Sequence, residues 1–284
     1  MKLTSYRVGD RASYGIVTGE GVIDAARHLG DRYPTLRAAL AGNALPELKK
    51  LVASGEINHK LADIAFLPVI PDPEKILCVG INYAAHVKET GREMPTKVMI
   101  FTRFANTQVG HNQPMLKPKV SDRYDFEGEL AVIIGKRGRY ISEADALSHV
   151  AGYSCYNDGS IRDWQRHTTQ FTPGKNFPGT GAFGPWLVTP DEIPDPSKLT
   201  LTTRLNGTVM QQSGTDDLIF SVPHCIAYCS SFTYLEPGDV IITGTPGGVG
   251  NYREPPIFMK PGDKIEVDIT SIGTLVNSIA DEKV

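Results

Sequence analysis

Cysteine is scarce in this chain, with four among 284 residues. Four scattered thiols are too few for the disulfide framework that stabilises small secreted domains. Cys225 and Cys229 stand four residues apart, a spacing that favours one face of a helix over a zinc site. We therefore expect reduced and mostly buried cysteines.

Long apolar runs and blocks of basic charge are also missing. No window approaches the roughly 18 apolar residues of a membrane-spanning helix, and the segment MKLTSYRVGDRASYG lacks the apolar core of a signal peptide. Lys and Arg total 29 against 32 Asp and Glu, for a formal net charge of -3, and no basic stripe is available to displace the counterions of a nucleic acid. We expect no membrane partner, no nucleic-acid partner and a cytoplasmic location.

The composition is that of a globular protein with a full core, since 40% of residues are hydrophobic and 21% are charged. The segment PVIPDPEK has three prolines in eight residues and predicts a rigid connector. We therefore expect a small N-terminal domain over residues 1–70 and a larger domain over residues 71–284. The small domain is predicted to be α/β, with strands at Leu3–Val8 and Ser13–Val17 and helices around Tyr33–Ala41 and Leu45–Val52.

Beyond residue 70 the chain is rich in strand-like runs separated by glycine and proline. They are KILCVGI, KVMIFT, GELAVIIG, GPWLVT, LTLTTRLNG, DVIITGT and KIEVDITSIGTLVNSIA. Clear helical patterns cover only Ser142–Val150 and Pro223–Phe232. The large domain is therefore predicted to be mainly β with a few helices (α+β), and not an alternating βαβ sheet.

Two glutamates stand one residue apart in the segment YDFEGELAVIIG. On a strand, Glu127 and Glu129 point to the same face, which Ala131 and Ile133 continue towards an apolar core. Burying two carboxylates this close is costly unless a cation lies between them, and oxygen ligands suit magnesium, manganese or calcium. A solvated edge strand would show the same spacing. Asp158 follows another strand-like run and is a candidate third ligand, or otherwise a helix cap.

His86 and Glu89 lie three residues apart on a short helical segment, within reach of each other. A carboxylate beside an imidazole holds its tautomer and raises its basicity, as in sites that activate water. An incidental pair on an exposed helix is the alternative.

The chain resembles the fumarylacetoacetate hydrolase superfamily over roughly residues 75–284. Five motifs occur in the family's order: GINYAAHVKE, DFEGELAVIIG, NDGSIRDWQ, PGKNF with GPW, and DVIITGTPGGVG. The resemblance implies a mixed β-roll catalytic domain that binds a divalent metal, usually Mg²⁺ or Mn²⁺, and that forms a homodimer. The chain departs from the family's pattern at two places. Ile81 stands where many relatives have a polar or basic residue, and Thr102–Arg103 stands where a lysine is common.

The resemblance also implies roles for particular residues. The metal ligands would be Glu127, Glu129 and Asp158, with a His86–Glu89 dyad on a lid above them. The remaining catalytic and substrate-binding residues would be Lys175, Arg162, Gln165 and Thr245. Singly, Lys175, Arg162 and Thr245 could be a surface lysine, an arginine paired with a nearby acid such as Asp163, and a turn threonine. Trp164 and His167 are expected near the site.

The function expected from these residues is hydrolytic C–C cleavage of a 2,4-dioxo acid (an acylpyruvate) through a metal-stabilised pyruvate enolate. Decarboxylation of oxaloacetate, or isomerisation of an unsaturated 2-oxo dicarboxylic acid, could use the same site. A non-catalytic protein that binds a metal or an organic acid is a further alternative.

Overall fold

Strands account for most of the regular structure in a computed structural model that describes residues 1–19, 21–53, 55–91 and 93–283. The strands are β1 (Lys2–Val8), β2 (Arg11–Thr18), β3 (Gly21–Asp24), β4 (His59–Lys60), β5 (Ala65–Phe66), β6 (Ile76–Gly80), β7 (Met99–Arg103), β8 (Gln108–Val109), β9 (Met115–Lys117), β10 (Tyr124–Asp125), β11 (Gly128–Ile134), β12 (Val150–Asn157), β13 (Ser160–Ile161), β14 (Gly181–Val188), β15 (Thr200–Leu205), β16 (Thr208–Gly214), β17 (Val240–Ile242), β18 (Lys264–Ile269) and β19 (Gly273–Asp281).

The helices are short. They are α1 (Ala26–Leu29), α2 (Leu36–Ala41), α3 (Leu45–Val52), α4 (Ala84–Thr90), α5 (Arg162–Gln165), α6 (Thr172–Lys175) and α7 (Val222–Phe232). Short 3-10 turns cover Leu61–Asp63, Ala105–Thr107, Ala146–His149, Pro196–Lys198, Thr215–Asp217 and Gly250–Tyr252. Within the described ranges, no helix has the length and apolarity required to cross a lipid bilayer.

The strands form one large mixed sheet, a five-stranded sheet and a two-stranded ribbon. The large sheet has the order β4-β3-β2-β1-β14-β12-β11-β17-β6-β7, with β5 on β1 and β8 on β14. The five-stranded sheet has the order β16-β15-β18-β19-β9, and β10 pairs with β13. Strand β1 pairs with β14, so the N-terminal strands continue the large sheet. The division into domains at residue 70 stays a prediction.

Strand β11 lies at the centre of the large sheet and is buried on both faces, which explains its continuous apolar sequence. Leu130, Val132 and Ile134 pack into a cluster that also contains residues of the five-stranded sheet. Ala131 and Ile133 pack into a second cluster with the N-terminal helices. The predicted alternation along this strand is therefore correct, and both of its faces contribute to the core.

The helix predicted over Ser142–Val150 is wrong. Only a 3-10 turn forms at Ala146–His149, and serine side chains bond locally in the segment around it. The Ser142 hydroxyl accepts from the Asp145 backbone N–H at 3.2 Å, and the Ser148 hydroxyl donates to the Asp145 carbonyl at 2.6 Å. Val150 is paired with Ile134 in the sheet.

Helix α7 is correctly predicted within one residue. Ser221 caps its N-terminus by accepting from the His224 N–H, and proline lies in its first turn. Cys225 and Cys229 are both buried on this helix, as their spacing predicts.

Candidate metal centre and active site

Three carboxylates meet where β11 begins and β12 ends. Those two ends lie together because the strands pair antiparallel, with Gly128 opposite Asn157. Glu127 immediately precedes β11, Glu129 is its second residue, and Asp158 follows β12. Carboxylate oxygens from the three residues all lie within 4.8 Å of one another, and all three side chains are buried. We call this group the acid triad.

The glycine inside the Glu-x-Glu motif serves packing rather than access for a ligand. A Cβ at Gly128 would lie 2.1 Å from the Thr203 hydroxyl and 3.3 Å from a methyl group of Leu201. The five-stranded sheet therefore occupies the space beside this glycine. The ligand side of the strand is the opposite face.

The two glutamates of the triad differ in charge environment. Burial, together with the neighbouring Asp158 and Glu127 carboxylates, raises the pKa of Glu129 well above its usual range. Burial acts on Glu127 as well, but the Lys175 ammonium and the Arg162 guanidinium hold its pKa at about 2. Glu129 has no salt bridge with a described residue, and Arg162 is shared with Asp125, so ionising all three carboxylates leaves negative charge uncompensated. The buried oxygen ligands therefore fit a hard divalent cation.

Lys175 contacts two members of the triad. It ends the short helix α6, is 1% exposed, and places Nζ 2.6 Å from both Glu127 Oε2 and Asp158 Oδ2. Burial disfavours the ammonium, but the two carboxylates raise the pKa of Lys175 above its usual value. The alternative of a surface lysine is therefore excluded.

Arg103 is a site residue whose importance the sequence reasoning missed. It ends strand β7, is buried, and places Nη1 2.6 Å from Asp158 Oδ1. The same guanidinium donates to the Gly159 carbonyl at 3.0 Å and to the Thr180 hydroxyl at 2.9 Å. An arginine at the end of an apolar strand was the available signal, and the motif comparison treated it only as a departure.

The predicted His86–Glu89 dyad is present on helix α4. His86 Nδ1 lies 3.0 Å from Glu89 Oε2, and His86 is 7% exposed. Glu89 Oε1 accepts from the Gly248 N–H at 2.9 Å, which ties the helix to the glycine-rich loop. Glu89 thus fixes the imidazole from the Nδ1 side, and the helix is not an exposed one.

Arg162 pairs with acids other than the neighbouring Asp163. Its Nε lies 2.7 Å from Asp125 Oδ2, and its Nη1 lies 2.7 Å from Glu127 Oε1. Nη1 also donates to Gln165 Oε1 at 3.0 Å. Its buried Nη2 has no hydrogen-bond partner among the described residues, so one donor is left for a ligand.

Thr245 lies in the glycine-rich loop, where protein groups already bond its hydroxyl. Oγ1 donates to the Gly128 carbonyl at 3.0 Å and accepts from Gln211 Nε2 at 2.8 Å. Gln211 Oε1 accepts from the Gly128 N–H at 3.0 Å. Gln211, on strand β16, therefore joins this loop to the triad, and no sequence motif indicated it.

One cavity brings most of the predicted residues together. Its lining includes His86, Glu127, Glu129, Arg162, Gln165, Lys175 and Thr245, with Asp158 and Glu89 immediately behind. Apolar side chains of Val79, Ile81, Phe101 and Phe171 form another part of the wall, and Arg166 and Tyr252 also line the cavity.

Trp164 and His167, which were expected near the site, do not line the cavity, whereas Ile81 does. Trp164 packs edge-on against Phe177 with ring centroids 5.2 Å apart and also contacts His167, and neither Trp164 nor His167 is among the residues lining the cavity. Ile81 lines it with φ at 56°, a backbone conformation that is strained for a β-branched side chain.

Comparisons with known proteins agree with this architecture. The family model described as Fumarylacetoacetate (FAA) hydrolase C-terminal matches residues 75–280. Oxaloacetate tautomerase FAHD2A, mitochondrial, from Bos taurus is 43% identical over 220 residues, which cover 77% of this chain and 70% of the relative.

Two solved structures match the chain over its whole length. The 5-carboxymethyl-2-hydroxymuconate delta-isomerase from Mycobacterium smegmatis is 30% identical with a TM-score of 0.78, and the alignment covers 100% of both chains. Maleylpyruvate hydrolase from Sphingobium sp. SYK-6, in complex with manganese(II) ion and pyruvate, is 26% identical with a TM-score of 0.83 and the same coverage. The predicted mainly β fold is confirmed.

The expected cytoplasmic location is contradicted. The relatives from Bos taurus, Homo sapiens and Xenopus laevis are all named as mitochondrial proteins. The inference relied on the lack of an apolar signal segment, but mitochondrial targeting segments are amphipathic and not apolar. That absence therefore could not distinguish the two compartments.

Proposed function

Because the chain belongs to the fumarylacetoacetate hydrolase family, we propose that it is a divalent-metal-dependent enzyme that interconverts the keto and enol forms of a 2-oxo acid. The observation that carries the proposal is a single cavity at which the acid triad, Lys175 and the His86–Glu89 pair meet. The name of the bovine relative makes oxaloacetate the first substrate to test.

The acid triad would hold Mg²⁺ or Mn²⁺. The manganese in the maleylpyruvate hydrolase structure supports this choice, as does the hard oxygen character of the three ligands. When bound, the ion would supply Lewis acidity that polarises the 2-oxo group and eases proton transfer at the neighbouring carbon.

Arg162 and Gln165 are the proposed binding groups for the substrate carboxylate. The buried Nη2 of Arg162 has a free donor, and its charge is fixed in place by Asp125 and Glu127. Charge-assisted bonds from such a guanidinium orient a carboxylate well. Thr245 lines the same cavity, but its hydroxyl proton is already donated to the Gly128 carbonyl, so its proposed part is to shape the wall beside the carboxylate.

His86 is the proposed proton carrier. Glu89 engages Nδ1, so Nε2 is the ring nitrogen left to take a proton from carbon C3 of the substrate or to return it. The Lys175 ammonium holds a proton for the oxygen on C2. One proton leaves carbon and one reaches oxygen, so no bond between heavy atoms breaks and no co-reactant is consumed.

Hydrolytic C–C cleavage of an acylpyruvate is the second candidate. It is favoured by the His86–Glu89 contact, since a histidine held by a carboxylate can activate water. The likeness to maleylpyruvate hydrolase also supports it. This reaction would use the same triad and release pyruvate.

One set of assays tests the proposal and separates the candidates. Purified protein is loaded with Mg²⁺ or Mn²⁺ and given oxaloacetate enol or acetylpyruvate, while enol absorbance and released pyruvate are followed together. Tautomerisation predicts faster loss of oxaloacetate enol with no pyruvate beyond the uncatalysed amount. Pyruvate from oxaloacetate would indicate decarboxylation, and pyruvate from acetylpyruvate would indicate hydrolysis. Metal binding without turnover of either compound would refute the enzyme proposal.

A further inference from the structure

Arg166 is a cation of the cavity that the proposed chemistry does not use. It directly follows helix α5, is exposed, and lines the same cavity as Lys175 and His86. Its position one residue after Gln165 places it beside the proposed carboxylate-binding groups.

The cations of the site differ in how their charge is compensated. Arg103 faces Asp158, Arg162 faces Asp125 and Glu127, and Lys175 faces two members of the triad. No carboxylate of a described residue lies within 4.0 Å of the Arg166 guanidinium. That group donates from Nη2 to the Tyr252 hydroxyl at 3.1 Å, and its other donors are free of protein acceptors in the part of the chain that the structure describes.

Tyr252 connects Arg166 to the rest of the site. Its ring lies 5.7 Å from the guanidinium carbon and meets His86 edge-on, with ring centroids 6.2 Å apart. The turn that carries it is anchored by Asp125, which accepts from the N–H groups of Gly250 and Asn251 at 2.8 and 3.0 Å. The same Asp125 pairs with Arg162. One buried carboxylate therefore positions Arg162 directly and Arg166 through the turn that carries Tyr252.

We propose that Arg166 and Tyr252 bind a second, distal carboxylate, so that the substrate is a 2-oxo dicarboxylic acid and not a 2-oxo monocarboxylic acid. This inference rests on the proposed function, which assigns the first carboxylate to Arg162 and Gln165. An uncompensated guanidinium in the lining of a cavity favours an anion there, and its planar fork suits a carboxylate. The apolar side chains of Phe171 and Ile81 can contact the carbons between the two ends.

The test compares binding of malate and lactate to Mn²⁺-loaded protein by calorimetry. Both ligands carry a 2-hydroxy carboxylate, and malate alone adds a distal carboxylate. Loss of one charge-assisted bidentate contact corresponds to about tenfold or more in affinity. Arg166→Gln should lower the affinity for malate by that factor and leave the affinity for lactate within about twofold of the unaltered protein. The malate affinity of Arg166→Lys should lie between those of the unaltered protein and Arg166→Gln, since lysine keeps the charge but lacks the planar fork. Tyr252→Phe should weaken malate by only a few-fold.

The matched control is Arg7→Gln, a change at an exposed arginine of strand β1. It should leave the affinities for both ligands unchanged. Kinetics give a second readout, since Arg166→Gln should raise KM for oxaloacetate more than KM for acetylpyruvate. An unchanged ratio of malate to lactate affinity in Arg166→Gln, with both ligands binding, would refute this inference and leave the proposed function intact. Failure of the unaltered, metal-loaded protein to bind either ligand or to act on any 2-oxo acid would overturn both.

Discussion

Two of the regions in which the described residues bury carboxylates solve the problem of charge differently. On strand β3, Asp24 is 1% exposed and stands alone among donors. It accepts from the Ser13 hydroxyl at 2.6 Å and from Arg11 Nη2 at 2.8 Å, and Arg27 Nε lies 3.4 Å away. This single carboxylate has more donors than it needs, which is the pattern of a structural ion pair.

The acid triad has the opposite balance. Three carboxylates share nearby cations, and Glu129 forms no salt bridge with any described residue. Its Oε2 accepts from the Gly244 N–H at 2.5 Å. A buried acid that is fully compensated serves the fold, whereas a buried group of acids with too little positive charge indicates a cation site.

The largest effect should come from Glu129→Gln. Removing one ligand should reduce metal-dependent activity by about 1,000-fold or more, since a Lewis acid contributes several kcal/mol to the barrier. The free energy of unfolding of the metal-free protein should not fall, because glutamine can still accept from Gly244 and one of three like charges is gone. Activity at several Mn²⁺ concentrations and urea unfolding without metal measure the two effects.

The control for this variant is Glu143→Gln at an exposed acid that contacts His224. It should keep full activity. Wild-type activity in Glu129→Gln at the same metal concentration would contradict the assignment of Glu129 as a ligand.

Asp24→Asn should give the reverse pattern and a smaller effect. The charge-assisted bond from Ser13 is weakened and both arginines lose their partner, so we expect a loss of about 2 kcal/mol in the free energy of unfolding. Metal affinity should not change. Urea unfolding and a Mn²⁺ titration of the same sample measure both quantities.

Asp122→Asn is the matched surface control, since the Asp122 side chain is 95% exposed and pairs with Lys117. Its loss should be below about 0.5 kcal/mol. A change in metal affinity in Asp24→Asn would show that the two acidic regions are not independent.

Local patterns predicted much of this contrast. Alternation along β11 correctly set Glu127 and Glu129 apart from the face of Leu130 and Val132, and the three-residue spacing correctly joined His86 to Glu89. Both features depend on residues that are close in sequence, where strand and helix geometry fix which side chains can meet.

Contacts between distant segments could not be predicted in the same way. Arg103 reaches Asp158 across 55 positions and Gln211 reaches Gly128 across 83, and neither residue stands out by spacing. Trp164 was expected near the site, but it packs against Phe177 and does not line the cavity. Phe171 lines the cavity instead. Which side of a short helix faces a cavity depends on packing that the local sequence does not specify.

The smallest expected effect is the number of protons released when the metal binds. Burial and its acidic neighbours raise the pKa of Glu129, so the native, metal-free protein holds this proton to a higher pH than the unfolded chain does. The free energy of unfolding attributable to Glu129 should therefore fall as pH rises above about 4.3 and level off once the folded pKa is passed. Mn²⁺ binds the ionised form of Glu129. At a pH below the folded pKa of Glu129, binding of Mn²⁺ should therefore release up to about one proton per ion. Calorimetry of Mn²⁺ binding in two buffers with different ionisation enthalpies counts the proton. Asp24→Asn should release the same number and Glu129→Gln fewer, and equal release in all three proteins would place the raised pKa elsewhere.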